Sequence, residues 1–305
     1  MVFGTDVEVL IRSDDRAQAE AALRKLGAEF QAMHVDWHPW EPGALNDLNG
    51  DLAAGRWSQP APELLAMILD AQRFERASLG HFNAASGGLI ELWGFHTSIY
   101  PIQAPPPSNA EIDGWLARRP SALDIEIDGA QVRSRNSAVQ LDFSGLAKGH
   151  AATRACDHLT AIGLGDTLVN LGGDVMVCGP GEKSWSVAIS NGSGGIFEVI
   201  DVQGPIAVFS SGTARRWGEW QGDRYAHLLD PKSGRALGHL MQATVIHRDP
   251  ALADAAATAL AVGGVEEWAM VAESMNVSES LLLDASGPVR ISKAMAARFD
   301  AIEND

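Results

Sequence analysis

The segment Leu168-Val-Asn-Leu-Gly-Gly-Asp174 carries an apolar strand-type run into two glycines and an aspartate. Such a run entering a Gly-Gly-Asp sequence describes a strand that meets a tight connection. The glycine turn is read either as an ordinary hairpin-like link or as a place where free backbone groups face a ligand. Comparable runs lie on both sides: Ile125-Glu-Ile127, Val139-Gln-Leu-Asp-Phe143, Ser186-Val-Ala-Ile189, Ala207-Val-Phe209 and Thr244-Val-Ile246. Helical patterns interrupt them at about 147–162, 250–262 and 265–274. Strands outnumber helices and several are joined by short glycine turns. The expected class is therefore α+β, with largely antiparallel sheets packed with helices, rather than a doubly wound parallel sheet.

Towards the N-terminus, residues 2–11 read as a half-buried strand, followed by a helix from Ser13 or Asp14 to about Met33. The stretch His34–Asp51, with Pro39, Pro42, Gly43 and Gly50, reads as a loop with at most one helical turn. A second amphipathic helix runs from about Pro62 to Ser78, and prolines at 101 and 105–107 precede a small helix near Glu111–Arg118. One domain is expected over 1–305, with a smaller sub-domain around 85–135.

The 305 residues are 46% apolar and 20% charged, enough to bury a sizeable core. Lys and Arg total 23 against 39 Asp and Glu, a formal charge of −16, which argues against nucleic acid or an anionic membrane surface as partner. No run is long and apolar enough for a membrane span, and no secretory leader opens the chain. The expected location is cytoplasmic for the chain as it stands, or periplasmic if a leader has been removed. Cys156 and Cys178 are expected to be reduced thiols.

Several motifs fail on inspection. Gly179-Pro-Gly-Glu-Lys-Ser184 has the wrong glycine spacing for a phosphate loop. Ser210-Ser211-Gly212 lacks the first glycine of a nucleophile elbow. His34 and His38 have helical metal spacing, but Pro39 follows at once and surface histidines are expected. More informative is Asp249-Pro-Ala-Leu-Ala-Asp254-Ala-Ala-Ala-Thr258, where Asp249 and Pro250 start a helix and Asp254 and Thr258 share one face among alanines. A carboxylate and a hydroxyl on such a stripe form either a solvated face or a pair of hard oxygen ligands suited to Mg²⁺. In Leu141-Asp-Phe-Ser-Gly145-Leu-Ala-Lys148-Gly-His150, Asp142 and Lys148 flank a turn at Gly145.

The chain resembles the ApbE family, the FAD:protein FMN transferases, over nearly its whole length. The matching features, in order, begin with Gly4-Thr5, Leu45-Asn-Asp-Leu-Asn49, Gly80-His-Phe-Asn83 and Leu92-Trp-Gly-Phe95. They continue through Leu141-Asp-Phe-Ser-Gly-Leu-Ala-Lys-Gly149, Val169-Asn-Leu-Gly-Gly-Asp174, Ser211-Gly212, His227-Leu-Leu-Asp-Pro231 and Ala253-Asp-Ala-Ala-Ala-Thr-Ala-Leu260.

The resemblance implies an ApbE-like, T-fold-related architecture. It also implies Mg²⁺-dependent transfer of the FMN half of FAD to a Thr or Ser hydroxyl of an acceptor protein, releasing AMP. By motif, the metal falls to the Gly145 carbonyl, Asp254 and Thr258. The flavin nucleotide falls to Phe3, Asn83, Ala84, Ala85, Asp142, Lys148 and the main chain at Leu228. His227, beside the flavin segment and of suitable pKa class, is the candidate proton acceptor, its alternative being to pack on or orient the flavin. Departures from the family pattern are Phe3 for Met, Asn83 for Asp, Ser144 for Gly, Thr153 for Asp, Gly43 for Ser, and Ala257 where some members carry a second acid. Two other functions use the same pocket: an FAD pyrophosphatase giving FMN and AMP, and a non-catalytic flavin-binding protein.

Overall fold

The computed structural model describes residues 2–238, 241–285 and 287–302. Its first part is mainly helical: β1 (Val7–Ile11), α1 (Arg16–Asp36), α2 (Ala44–Ala53), α3 (Pro62–Ala77), α4 (Gly87–Leu92) and α5 (Asn109–Arg118). Next come β2 (Ile125–Asp128), β3 (Gln131–Ser134), α6 (Ala147–Ala161), β4 (Thr167–Leu171), β5 (Asp174–Val177), β6 (Trp185–Ser190), β7 (Ile196–Val202) and β8 (Ile206–Gly212). Short strands β9 (Trp217–Trp220), β10 (Asp223–Ala226), β11 (Leu229–Asp230) and β12 (Arg235–Ala236) precede β13 (Met241–His247), α7 (Pro250–Ser274), β14 (Glu279–Asp284), β15 (Arg290–Ile291) and α8 (Lys293–Ile302).

Seven strands form the central sheet in the order β1-β4-β5-β8-β13-β14-β15, every neighbouring pair antiparallel. Gly172 and Gly173 turn β4 back onto β5, with Leu171 opposite Asp174, so the segment that suggests the fold is indeed a hairpin. Alternation along each strand supplies two cores. Val169, Met176, Ala207, Phe209, Val245 and Leu282 face the helices. Their neighbours Leu168, Val175, Val208, Ile246 and Leu281 pack on the other face against β6, β7 and Met295 of α8.

The helix that occupies the centre is α7. Asp249 caps it by accepting the Ala251 and Leu252 N–H groups, Pro250 follows, and Ala253, Ala255, Ala256, Ala257, Ala259 and Ala261 are buried. A helix buried almost all round needs such small side chains where several elements converge on it. The two expected helices both form and meet within α7 at Gly264, whose φ of 61° and ψ of −167° break the helical geometry between them. At Gly149, where α6 crosses α7, a Cβ would stand 2.5 Å from the Pro250 carbonyl oxygen, so only glycine permits the approach.

Three expectations are corrected. The stretch His34–Asp51 holds a full helix, α2, because Leu45, Leu48 and Leu52 bury one face of it. Val139–Phe143 is extended but is no strand, because Asn49 takes the place of a neighbouring strand. Asn49 Nδ2 donates to the Leu141 carbonyl and its Oδ1 accepts the Leu141 N–H, at 2.9 and 2.7 Å. Cys156 and Cys178 are not free thiols but a disulfide joining α6 to the end of β5. The packing of α6 on β4 and β5 brings them together, which spacing along the chain does not reveal. No helix of the described residues is long and apolar enough to cross a membrane.

Cys156 and Cys178 stand 22 residues apart in sequence. Loop-closure entropy for a ring of that size gives about 3 kcal/mol of stability. Urea unfolding of a Cys156→Ser/Cys178→Ser variant is expected to show a loss of that order, and equal stability of variant and parent contradicts the bridge.

Candidate functional site

Helix α6 begins without a side-chain cap of its own, since Leu146 holds the N-cap position. Helix α7 supplies the missing acceptor. Asp254 Oδ2 accepts the Gly149 N–H at 3.0 Å, satisfying one of the donors that a helix N-terminus leaves free. Asp254 Oδ1 lies 3.2 Å from Lys148 Nζ, and the same ammonium lies 2.9 Å from Asp174 Oδ2. Asp174 Oδ1 in turn accepts the Ser210 N–H at 2.7 Å. One ammonium is thus shared by two buried carboxylates, and it ties together α6, α7, β5 and β8.

The charges settle accordingly. Burial opposes the charge on Lys148, but Asp174 and Asp254 outweigh it and hold its pKa above the usual lysine value. Burial pushes the Asp254 carboxyl up, with Asp174 adding to the push and Lys148 and the Gly149 N–H resisting it. The Lys148 side chain keeps 21% of its surface exposed. It sits in the first turn of α6, where the helix dipole also favours an anion.

Thr258 stands one turn beyond Asp254 on α7 and donates its hydroxyl proton to Ser211 Oγ at 3.3 Å. The Gly145 main chain approaches from the other side: a Cβ there would lie 3.1 Å from Thr258 Oγ1 and 3.2 Å from the Phe82 ring. The Gly145 carbonyl, the Asp254 carboxylate and the Thr258 hydroxyl are hard oxygen donors, and the close approach of Gly145 to Thr258 depends on a missing side chain. That set fits a small hard cation such as Mg²⁺. Among the described residues no group of three or more His, Cys, Asp and Glu is placed to hold a metal, so a cation here would rest on a single carboxylate.

His227 follows β10, its Nδ1 3.0 Å from the Arg216 carbonyl. A carbonyl only accepts, so Nδ1 carries the proton and Nε2 keeps its lone pair. Burial first, then the Arg216 guanidinium, then Lys148 lower the imidazole to about 4, despite the bond to the Arg216 carbonyl. The ring is therefore neutral at pH 7 and able to accept a proton. Arg216 Nη2 also donates to the Phe3 carbonyl at 3.2 Å. A Cβ at Gly4, where φ is +69°, would fall 2.3 Å from that guanidinium nitrogen, so glycine is required for the contact.

Asp142 and Phe3 belong to a second wall. The Asp142 N–H donates to the Ala84 carbonyl at 2.8 Å, and its Oδ1 accepts the Ser144 N–H at 2.8 Å. Burial alone would raise the Asp142 carboxyl, but the His96 ring and Ser144 outweigh it and bring it below the ordinary value. His96 lies 3.6 Å from Asp142 and stacks on Trp40 at 4.7 Å, while Phe3 stacks on Trp37 at 6.0 Å.

The structure therefore gathers Gly145, Lys148, Asp254 and Thr258, with His227 within electrostatic reach of Lys148. It joins Ala84 to Asp142 and turns two other expected groups inward. Asn83 spends its amide on the Pro120 carbonyl and its Oδ1 on the Ala85 N–H, and the Leu228 carbonyl accepts the Leu237 N–H. The expected surface histidines differ: His34 Nδ1 accepts the Phe3 N–H and His38 is buried. Sequence reasoning assigned no site role to Asp174, Arg216 or His96. The first ends the Gly-Gly turn and was legible as a charge beside it; the other two become visible only when distant segments meet.

A model of the ApbE family matches residues 3–282. A Rhodobacter capsulatus protein named FAD:protein FMN transferase is 38% identical over 304 residues, covering 99% of this chain and 58% of its own. The chain thus spans little more than half of that relative. A Haemophilus influenzae protein of the same name is 26% identical, over 87% of this chain and 77% of its own. The crystal structure of the ApbE protein from Thermotoga maritima superposes with a TM-score of 0.88 at 23% identity, covering 98% of this chain and 97% of that one. The flavin transferase ApbE from Vibrio cholerae gives 0.84 at 22% identity, with 98% and 97% covered. The α+β fold of antiparallel sheet and packed helices is that of these structures.

An NMR titration of the His227 ring is expected to show the Nδ1–H tautomer at neutral pH and a midpoint near 4. A midpoint near the ordinary histidine value, about 6.5, would contradict the burial described.

Proposed function

The chain belongs to the ApbE family, and on that footing we propose that it transfers the FMN half of FAD to a Thr or Ser hydroxyl of an acceptor protein and releases AMP. The observation that carries the reading is His227, whose Nδ1 donates to the Arg216 carbonyl and leaves Nε2 as the proton acceptor, its pKa lowered by burial, by Arg216 and by the Lys148 ammonium of the first turn of α6. Attack by a hydroxyl on a pyrophosphate needs a proton acceptor for the nucleophile and positive charge against the phosphates.

In this reading Lys148 and the first turn of α6 receive the pyrophosphate. His227 Nε2 accepts the acceptor hydroxyl's proton as its oxygen bonds to the FMN phosphorus and the bond to the AMP phosphate oxygen breaks. Arg216 holds the imidazole through its carbonyl, and burial, with the Arg216 guanidinium adding to it, keeps the ring neutral. The Asp142 and Phe3 wall takes the flavin side. Mg²⁺, held by the Gly145 carbonyl, Asp254 and Thr258, would supply Lewis-acid offset of phosphate charge. The disulfide favours an oxidising compartment, periplasmic rather than cytoplasmic, for this work.

Incubation with FAD, Mg²⁺ and an acceptor domain bearing an exposed threonine is expected to give a covalently fluorescent acceptor band. Free FMN without labelling would instead indicate hydrolysis with water as nucleophile, and FAD binding without turnover a carrier. His227→Ala is expected to lower labelling by about 10²–10⁴-fold. Unchanged labelling in that variant would remove His227 from the reaction.

A further inference from the structure

We propose that Ser211 is a positioning residue for the cation site, acting by accepting the hydroxyl proton of Thr258. The inference rests on the metal part of the function proposed above. A threonine hydroxyl has one proton and two lone pairs, and to ligate a cation it must direct the proton away from it. In a helix that proton commonly goes to the carbonyl one turn back. Here it crosses to β8, where Ser211 Oγ receives it at 3.3 Å.

Ser211 is well placed for the task. It lies on β8 opposite Ala243 of β13, on the same side of the strand as Phe209, which packs against the helices. Ser210, one residue earlier, points to the other face, its hydroxyl 2.8 Å from that of Thr244. The Ser210 N–H is fixed by Asp174, the carboxylate that shares Lys148 with Asp254. Consecutive residues of one strand therefore anchor both sides of the site: Ser210 through Asp174 and Lys148, and Ser211 through Thr258. The Ser-Gly pair matches the family's order, yet no part of the proposed transfer uses its hydroxyl.

Groups that orient a metal ligand without touching the metal commonly change affinity by about 10–100-fold. The test is Mn²⁺ binding to the full chain, followed by calorimetry and Mn²⁺ electron paramagnetic resonance without FAD, with thermal melting as the control for folding. Ser211→Ala is expected to weaken Mn²⁺ binding by at least about tenfold at an unchanged melting temperature, and Ser211→Thr to restore most of it. In a Thr258→Ala background, Ser211→Ala is expected to cost nothing further, because Ser211 acts only through Thr258. The inference is overturned if Ser211→Ala binds Mn²⁺ like the parent, or if its cost is as large when Thr258 is absent. A parent protein that binds no Mn²⁺ would overturn both this inference and the metal reading beneath it.

Discussion

The Lys148 ammonium, shared between Asp174 and Asp254, is the interaction on which the rest of the site depends. Two carboxylates buried side by side repel each other and lose hydration, and a single well-placed cation makes their burial tolerable. The arrangement also explains local features that look unrelated. Gly149 lets α6 approach α7 closely enough for Asp254 to cap it, and the alanines around Asp254 let that approach continue along α7. The hairpin turn at Gly172–Gly173 delivers Asp174 to the same point from the sheet.

This trio carries a net charge of −1, in a protein whose overall charge is −16. Such acidity excludes a broad polyanion-binding surface, but it does not exclude one anionic dinucleotide. Lys148 is already outweighed by its two carboxylates, and a divalent cation on Asp254 would convert the remaining carboxylate charge from a repulsive group into a ligand. Local arrangement, rather than total charge, sets which anions this protein can hold.

Much of the fold was legible in the sequence because local signals and tertiary structure agree. Asp249-Pro250 starts α7, the glycines at 263 and 264 break it between its two expected helices, and alternating strands around Gly172-Gly173 pair as a hairpin. What escaped depends on contacts between distant segments. Val139–Phe143 has strand composition, but both backbone hydrogen bonds of Leu141 go to the Asn49 side chain, 92 residues away, and the Asp142 N–H goes to Ala84. The Cys156–Cys178 bridge and the Arg216–Phe3 contact likewise exist only once the elements have packed. Motif order brought Asp254, Thr258, Gly145 and Lys148 together in advance, whereas the contacts by which Asp174 orients Lys148 and the Arg216 carbonyl orients His227 exist only once the elements have packed.

If one ammonium leaves the site a charge short, a divalent cation and an anionic dinucleotide should each make the other easier to bind. Calorimetric titration of FAD into the protein, once with chelator and once with saturating Mg²⁺, measures this coupling directly. Tighter FAD binding with Mg²⁺ in the parent, and loss of that gain in Asp254→Ala, is the expected result. FAD affinity independent of Mg²⁺ would contradict the charge arrangement assigned to Lys148, Asp174 and Asp254.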